Sequence, residues 1–309
     1  MGRVMVAGVV SVCVTRPVDF RAELPASERL TGQISVRLAS TGWTVARTLQ
    51  ALGSQVRFAT YVGTDPLGYV VTQGIHAHDL AGPTVLACPV QPRTVVLHDR
   101  HGRTAGARDL RFVADQRYPA EVFAAALADS DCELAVLTNI GFTRPLIDVA
   151  ANRGLPIATD LHLAADPRQP EHLDWMCAAT VLAASHAGLT EPAESWISTL
   201  WQRFGTELVL LGCGAAGVLL GVRATGRIWQ VDATTPRGLR YPNGAGDTLL
   251  GAFLHHYLGS GDPVSAVRHA ALAAGWKVGG TPEEAAGVPA SILAGLVATQ
   301  GLPAAHRLR

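Results

Sequence analysis

Apolar residues recur along this chain in two alternating textures. Short runs of β-branched and aliphatic residues read as buried strands. Longer segments with apolar residues three or four apart read as amphipathic helices. The first strand is Val4 to Val14, dense in valine. Val45 to Leu52 reads as helix, Gln55 to Val62 as strand and Pro66 to His78 as helix. Between Thr84 and Arg111 the pattern changes to β-ribbon, with a turn at Arg100-His101-Gly102.

Alternation then resumes. Helices are expected at Ala120 to Ala128 and Pro145 to Arg153, with strands at Glu133 to Thr138, Pro156 to Asp160 and Thr180 to Ala184. Helix Ala193 to Phe204 precedes strand Glu207 to Leu211. Val218 to Val222 and Arg227 to Val231 form a hairpin around Thr225-Gly226. The end is helical, at Asp247 to Leu258, Pro263 to Gly275 and Pro289 to Leu296. This order predicts an α/β fold, a mostly parallel central sheet flanked by helices. The two β-rich interruptions, within residues 13–40 and 84–111, are expected to form a small β-sheet lid. No repeat or linker divides the chain, so residues 1–309 read as one α/β domain.

Composition narrows the function classes. Hydrophobic residues make up 48% and charged residues 16%, enough for a large core and against disorder. Twenty-five basic residues balance 25 acidic ones without a run of either sign, which argues against a nucleic-acid partner. Lys277 is the only lysine; arginine carries the rest of the positive charge. Cys13, Cys88, Cys132, Cys177 and Cys213 are scattered without a CxxC pair, as expected of reduced, buried thiols in a cytoplasmic protein. Their spacing does not suit a thiolate zinc site. The start, an arginine and an apolar run ending at Cys13, has the outline of a secretory or lipoprotein signal. Val12 stands where a small residue is wanted, and the reading taken is a buried strand. No apolar stretch is long and clean enough to span a bilayer.

Several motifs bear on chemistry. Pro242-Asn243-Gly244-Ala245-Gly246-Asp247 opens a helix, and its glycines let successive N–H groups face one point. Unpaired donors at a helix N-terminus favour an anion such as phosphate. Asp247 suits a base facing a hydroxyl, or equally an acidic residue of the first helical turn. Gly212-Cys213-Gly214-Ala215-Ala216-Gly217 matches G-x-G-x-x-G, but VLLGV follows as a strand. A dinucleotide fold requires a helix there, so a tight turn between strands is expected, with backbone open to a ligand. A Walker A loop and a G-x-S-x-G elbow are both missing. His76 with His78, and His255 with His256, lack ligand company at metal-binding spacing and read as surface or structural residues.

With GAGD at a helix start near the C-terminus, the chain resembles the ribokinase-like (PfkB) carbohydrate kinases. TVARTLQALGSQVRFATYVGTDPLG, residues 44–68, is similar to the stretch where N-V-A-R-x-L-x-x-L-G leads into V-G-x-D-x-x-G. PRTVVLHDRHGRT resembles the lid strands, LPIATDLHL the central strand ending in Asp, and LLGCGAAGVLL the nucleotide-side strand and turn. The resemblance spans roughly residues 4–280 in one order.

It implies an ATP-dependent phosphotransferase acting on a hydroxyl of a sugar or sugar-like small molecule. Asp247 would be the catalytic base, with Gly244, Ala245 and Gly246 as the anion hole. Ser185, Gly212, Gly214 and Gly217 would lie on the ATP side, and Ala271 and Gly275 at the adenine. Magnesium would bridge the phosphates mostly through water, with Asp160 as its nearest support and Glu191 and Glu194 as further candidates. A monovalent cation and a homodimer paired through the lid strands are also implied.

Departures fall on the acceptor side. Cys13 stands where the family places a sugar-binding Asp, Ala39-Ser40 where it has Gly-Gly, and Thr44 where it has Asn. Losing a carboxylate and an amide points from a ribose-like pose to a larger, less polar or differently oriented alcohol. Ser185-His186-Ala187-Gly188 replaces N-x-x-E, without the glutamate, and Tyr241-Pro242-Asn243 replaces the segment that begins with Asp. A nucleoside kinase is a variant of the same reading. The alternative is a small-molecule-binding protein on this fold with little or no catalysis.

Overall fold

The structure is a computed structural model and describes residues 2–22, 27, 29–99, 101–164, 166–167, 170–284 and 286–308. Arg100 of the expected turn lies outside them. The first part of the chain forms β1 (Arg3–Ala7), β2 (Ser11–Pro17), β3 (Ser35–Ala39), α1 (Thr41–Leu52), β4 (Gln55–Gly63), α2 (Pro66–Ala77) and β5 (Val85–Cys88). Then come β6 (Arg93–His98), β7 (Thr104–Asp109), α3 (Ala120–Ala128), β8 (Leu134–Leu137), α4 (Arg144–Asn152), β9 (Ile157–Leu163), α5 (Leu173–Ala178) and β10 (Val181–Ser185). The rest is α6 (Ala193–Phe204), β11 (Leu208–Gly212), β12 (Val218–Val222), β13 (Arg227–Val231), α7 (Ala245–Ser260), α8 (Pro263–Val278), α9 (Ala290–Gln300) and β14 (Ala305–Arg307).

Ten strands form one sheet, in the order β14-β13-β12-β11-β10-β9-β8-β1-β4-β5. It is parallel from β5 to β11 and antiparallel from β11 to β14. Its central strands are buried on both faces, which explains their unbroken apolar runs. Val4 and Val6 of β1 face a core shared with α1, α7 and α8, whereas Met5 and Ala7 face the core of α3, α4 and α6. Local chemistry sets several helix ends. Asp65 accepts from the Gly68 amide ahead of Pro66 in α2, Asp262 accepts from Val264 and Ser265 in α8, and Gly53 ends α1 in the left-handed region.

Two expectations need correction. The run Val4 to Val14 is not one strand: β1 belongs to the main sheet and β2 to the lid, the chain turning between them at Gly8. Both strands are buried, so the valine pattern does not register the break. β5, within the stretch expected to form lid, pairs with β4 in the main sheet instead. The small sheet has the order β3-β2-β6-β7. Gln91 ties the two sheets together, its amide donating to Val10 O and accepting from Gly63 N. Among the described residues no helix is long and apolar enough to cross a membrane.

Where α7 packs on α8, the rings of His256 and His269 stack with centroids 4.2 Å apart, beside His255, which hydrogen-bonds Ser54. Burial, then His269 and His255, push His256 from 6.5 down to about 4. A folded-state value below the unfolded one means that the unfolded chain binds more protons between those limits. The contribution of His256 to stability is therefore expected to fall as pH drops from about 7 toward 4, by on the order of 2 kcal/mol, against an opposite slope from the raised Asp160. Urea titrations across that range check it, as the difference between wild type and His256→Gln.

Candidate active site

The site lies at the C-terminal ends of the parallel strands, where open α/β sheets bind ligands. Gly244 takes a left-handed conformation (φ 85°) immediately before α7. The Ala245 N–H donates to Pro242 O and the Thr248 N–H to Gly244 O. Gly244, Gly246 and Asp247 are left with backbone N–H groups that find no backbone acceptor among the described residues. Of the amides expected to form the anion hole, Ala245 is thus bonded internally, while Gly244, Gly246 and the adjacent Asp247 present open donors. Positive potential at this helix end adds to them.

Gly244 has no side chain, and three groups converge on the space a Cβ would face: Lys277 Cε at 3.6 Å, Thr44 Cγ2 at 3.8 Å and Asp247 Oδ2 at 3.9 Å. β9 brings a second carboxylate. Asp160, His162 and Asp247 each offer a ligand atom, and these lie within 4.8 Å of one another. Asp160 accepts from the His162 amide at 2.8 Å, and His162 itself is left-handed (φ 65°). Burial raises Asp160 to about 6; His162 opposes this, the Asp247 charge adds to it, and Arg108 of β7 opposes it from the lid. Glu191 and Glu194 are not part of this group. Glu194 lies near Cys213 instead, where its charge helps burial raise the thiol.

On the lid side, Tyr241 is 1% exposed and packs with Cys13, Ala39 and Val96. Arg37 stands over its ring at 5.2 Å, Lys277 Nζ at 4.6 Å, and the His98 ring meets it edge-on. Its hydroxyl accepts from Arg37 and from the Asn243 amide. Cys13, expected to touch substrate, is fully buried in a cluster with Tyr241; burial raises its thiol. Ser40 (φ 87°) holds a conformation that costs a non-glycine residue about 1–3 kcal/mol. Its hydroxyl bonds Ser11, which reaches on to Thr94. Thr44 reaches the site through its methyl group.

The residues expected on the nucleotide side sit along β10, β11, the turn that follows it and α8. Ser185 pairs with Gly212, and the carbonyl of Gly212 accepts from the backbone N–H of His186 and lies 3.0 Å from its ring Nδ1. Gly214 and Gly217 form the tight turn into β12, and a Cβ on Gly217 would lie 2.0 Å from Val231 O. Ala271 and Gly275 share a face of α8. A Cβ at Gly275 would lie 2.1 Å from Thr234 O, and the buried Thr234 Oγ1 has no hydrogen-bond partner among the described residues.

Tyr241 entered the sequence reading only as a departure, and His162, Arg37, Arg108 and Lys277 were missed. Their only sequence signal is the solitary lysine. Burial, then Arg37, lowers Lys277 to about 7 against the pull of Asp247 and Glu284. The thiols expected to be buried are so at Cys13 and Cys88, whereas Cys177 is exposed.

No family model and no curated protein matches the chain. Solved structures do. A microbiome-derived acarbose kinase is 23% identical, with TM-score 0.84 over 96% of this chain and 99% of that one. Ribokinase of Arabidopsis thaliana, solved with ribose and ATP, is 14% identical, with TM-score 0.77 over 96% and 98%. Nucleoside kinase of Burkholderia thailandensis, solved with inosine, is 17% identical, with TM-score 0.73 over 98% of each chain. The mostly parallel ten-stranded sheet flanked by helices, with its small separate sheet, is the ribokinase fold.

Proposed function

We propose that this protein is an ATP-dependent kinase that phosphorylates a hydroxyl of a sugar or sugar-like small molecule, working as one α/β unit with a lid. The observation carrying this reading is the meeting, at one helix start, of three open N–H groups, the Asp247 carboxylate and the Asp160 carboxylate. Asp247 takes the proton of the acceptor hydroxyl as its oxygen attacks the terminal phosphorus of ATP. The bond to the ADP oxygen breaks in line, and the N–H groups of Gly246 and Asp247 take up charge on the transferring oxygens. Ordering the reactants supplies much of the rate.

The oxygen donors present suit Mg2+, and Asp160 would support it, mostly through water; bound there, the ion would neutralise phosphate charge. The orphaned Thr234 hydroxyl beside Gly275 supports an adenine on that side of α8. The hydroxyls of Ser11, Ser40 and Thr94 suit a polyol, and Cys13, buried in a cluster with Tyr241, offers it nothing. A larger sugar or a nucleoside fits this reading better than a ribose-like pose. Unpaired thiols agree with a reducing, cytoplasmic setting. The test is ATP consumption with Mg2+ over a panel of sugars, oligosaccharides, nucleosides and polyols. Turnover of one compound supports the kinase. Thermal stabilisation by a compound, with no turnover and no response to Mg–ATP, would establish the non-catalytic binder instead.

The lid supports a homodimer. Val14 of β2 pairs with Val36 on one side and Val95 on the other, and the last two are 62% and 48% exposed. A row of exposed valines favours burial against a second copy. Light scattering should give a two-chain mass, and Val36→Glu with Val95→Glu a one-chain mass. A monomeric wild type would refute the dimer.

A further inference from the structure

The only lysine in the chain is half-buried where the site is built. Lys277 lies near the end of α8, and its ammonium donates to the carbonyls of Tyr241 and Asn243. Those two residues precede the left-handed Gly244, whose missing side chain leaves room for Lys277 Cε at 3.6 Å. A buried cation is costly unless partners surround it. Here two carbonyl dipoles and the Tyr241 ring face do so, at 4.6 Å for the ring. The converse also holds: two carbonyls of one short loop aimed at a single point need a positive charge there.

An ammonium is compact, with three donors in directions that suit such a point. A guanidinium is planar and wider, which is a physical reason for lysine here in a chain that otherwise uses arginine. Fixing the carbonyls of 241 and 243 also fixes the peptide planes that follow. These set where the Gly246 and Asp247 N–H groups point.

We propose that Lys277 is a positioning residue, the resident cation of the anion-hole loop, holding it in place without a bound monovalent ion. This rests on the kinase reading of the same site. Phosphoryl transfer should then proceed equally in potassium, sodium or tetramethylammonium salts. Lys277→Met should lower kcat by on the order of 10²-fold and leave KM for acceptor and ATP within about 3-fold. Lys277→Arg should not restore the rate, because the fork does not fit between the carbonyls. Lys277→Ala should regain at least about 10-fold in ammonium or potassium chloride and nothing in tetramethylammonium chloride.

Hydrogen exchange supplies a readout independent of turnover. The amides of 244–247 should exchange about 10-fold faster in Lys277→Met, with helices away from α8 unchanged. A wild-type enzyme that requires potassium, or a Lys277→Met variant with normal kcat and normal exchange, would overturn the proposal. If no acceptor is turned over by wild type, the kinase reading fails, and loop exchange still decides the role of Lys277. Loss of protection throughout Lys277→Met would make the residue a general core support, against the proposal.

Discussion

Asp247→Asn is expected to reduce kcat by about 10²–10⁴-fold while the folded chain keeps its affinity for acceptor and nucleotide. Asparagine has nearly the shape of aspartate, so α7, with its open N–H groups, should start where it does now. What is lost is a group able to take the acceptor proton. Asp160 is the nearest alternative carboxylate. It is buried, accepts from the His162 amide and is raised in part by the charge of Asp247 itself. Removing that charge lets Asp160 fall toward the ordinary carboxylate range without moving it to the hydroxyl. The measurement is steady-state kinetics on the acceptor identified in the panel, beside calorimetric binding of acceptor and Mg–ATP. Turnover within about 10-fold of wild type would remove Asp247 from the role of base.

The second large effect concerns stability and reaches the site through α1. Gly42 meets Gly8 backbone to backbone: a Cβ at 42 would lie 2.5 Å from Gly8 C and 2.7 Å from Gly8 Cα. No flexible side chain is available to move aside, so the helix must shift. Gly42→Ala is expected to cost on the order of 3 kcal/mol or more, and to lower Tm by roughly 5 °C. α1 also carries Thr44, whose methyl group stands 3.8 Å from the Cβ position at Gly244. The variant should therefore lose kcat beyond its unfolded fraction. Calorimetric melting with kinetics well below Tm separates the two losses. A Tm unchanged within about 1 °C would show that α1 does not rest on the β1 turn as described.

Several elements were legible because their causes are local. α3 and α6 keep the predicted limits, and the β12–β13 hairpin turns at Thr225-Gly226. α2 and α8 start at Asp-Pro pairs visible in any window of the sequence. β14 and α5 were not seen, since three and six residues carry too little periodicity. The open-amide helix start at residues 244–247 was legible for a physical reason of the same kind: glycines beside an acidic helix start have few structural uses. How its amides divide was not, because that depends on Pro242 O folding back to Ala245.

Alternating apolar runs thus determined an α/β sheet and its helices, and the GAGD helix start marked Asp247 as the candidate base. Burial is a property of each segment's own residues, and a glycine-rich helix start announces itself within six. The tertiary structure decided which sheet each valine strand joins, that Cys13 is buried in a cluster with Tyr241, and that Asp160 stands beside Asp247. It also brought Lys277 to a loop 34 residues away and Arg37 to a ring 204 residues away. Such pairings arise from packing between distant segments, which local patterning of one sequence does not encode.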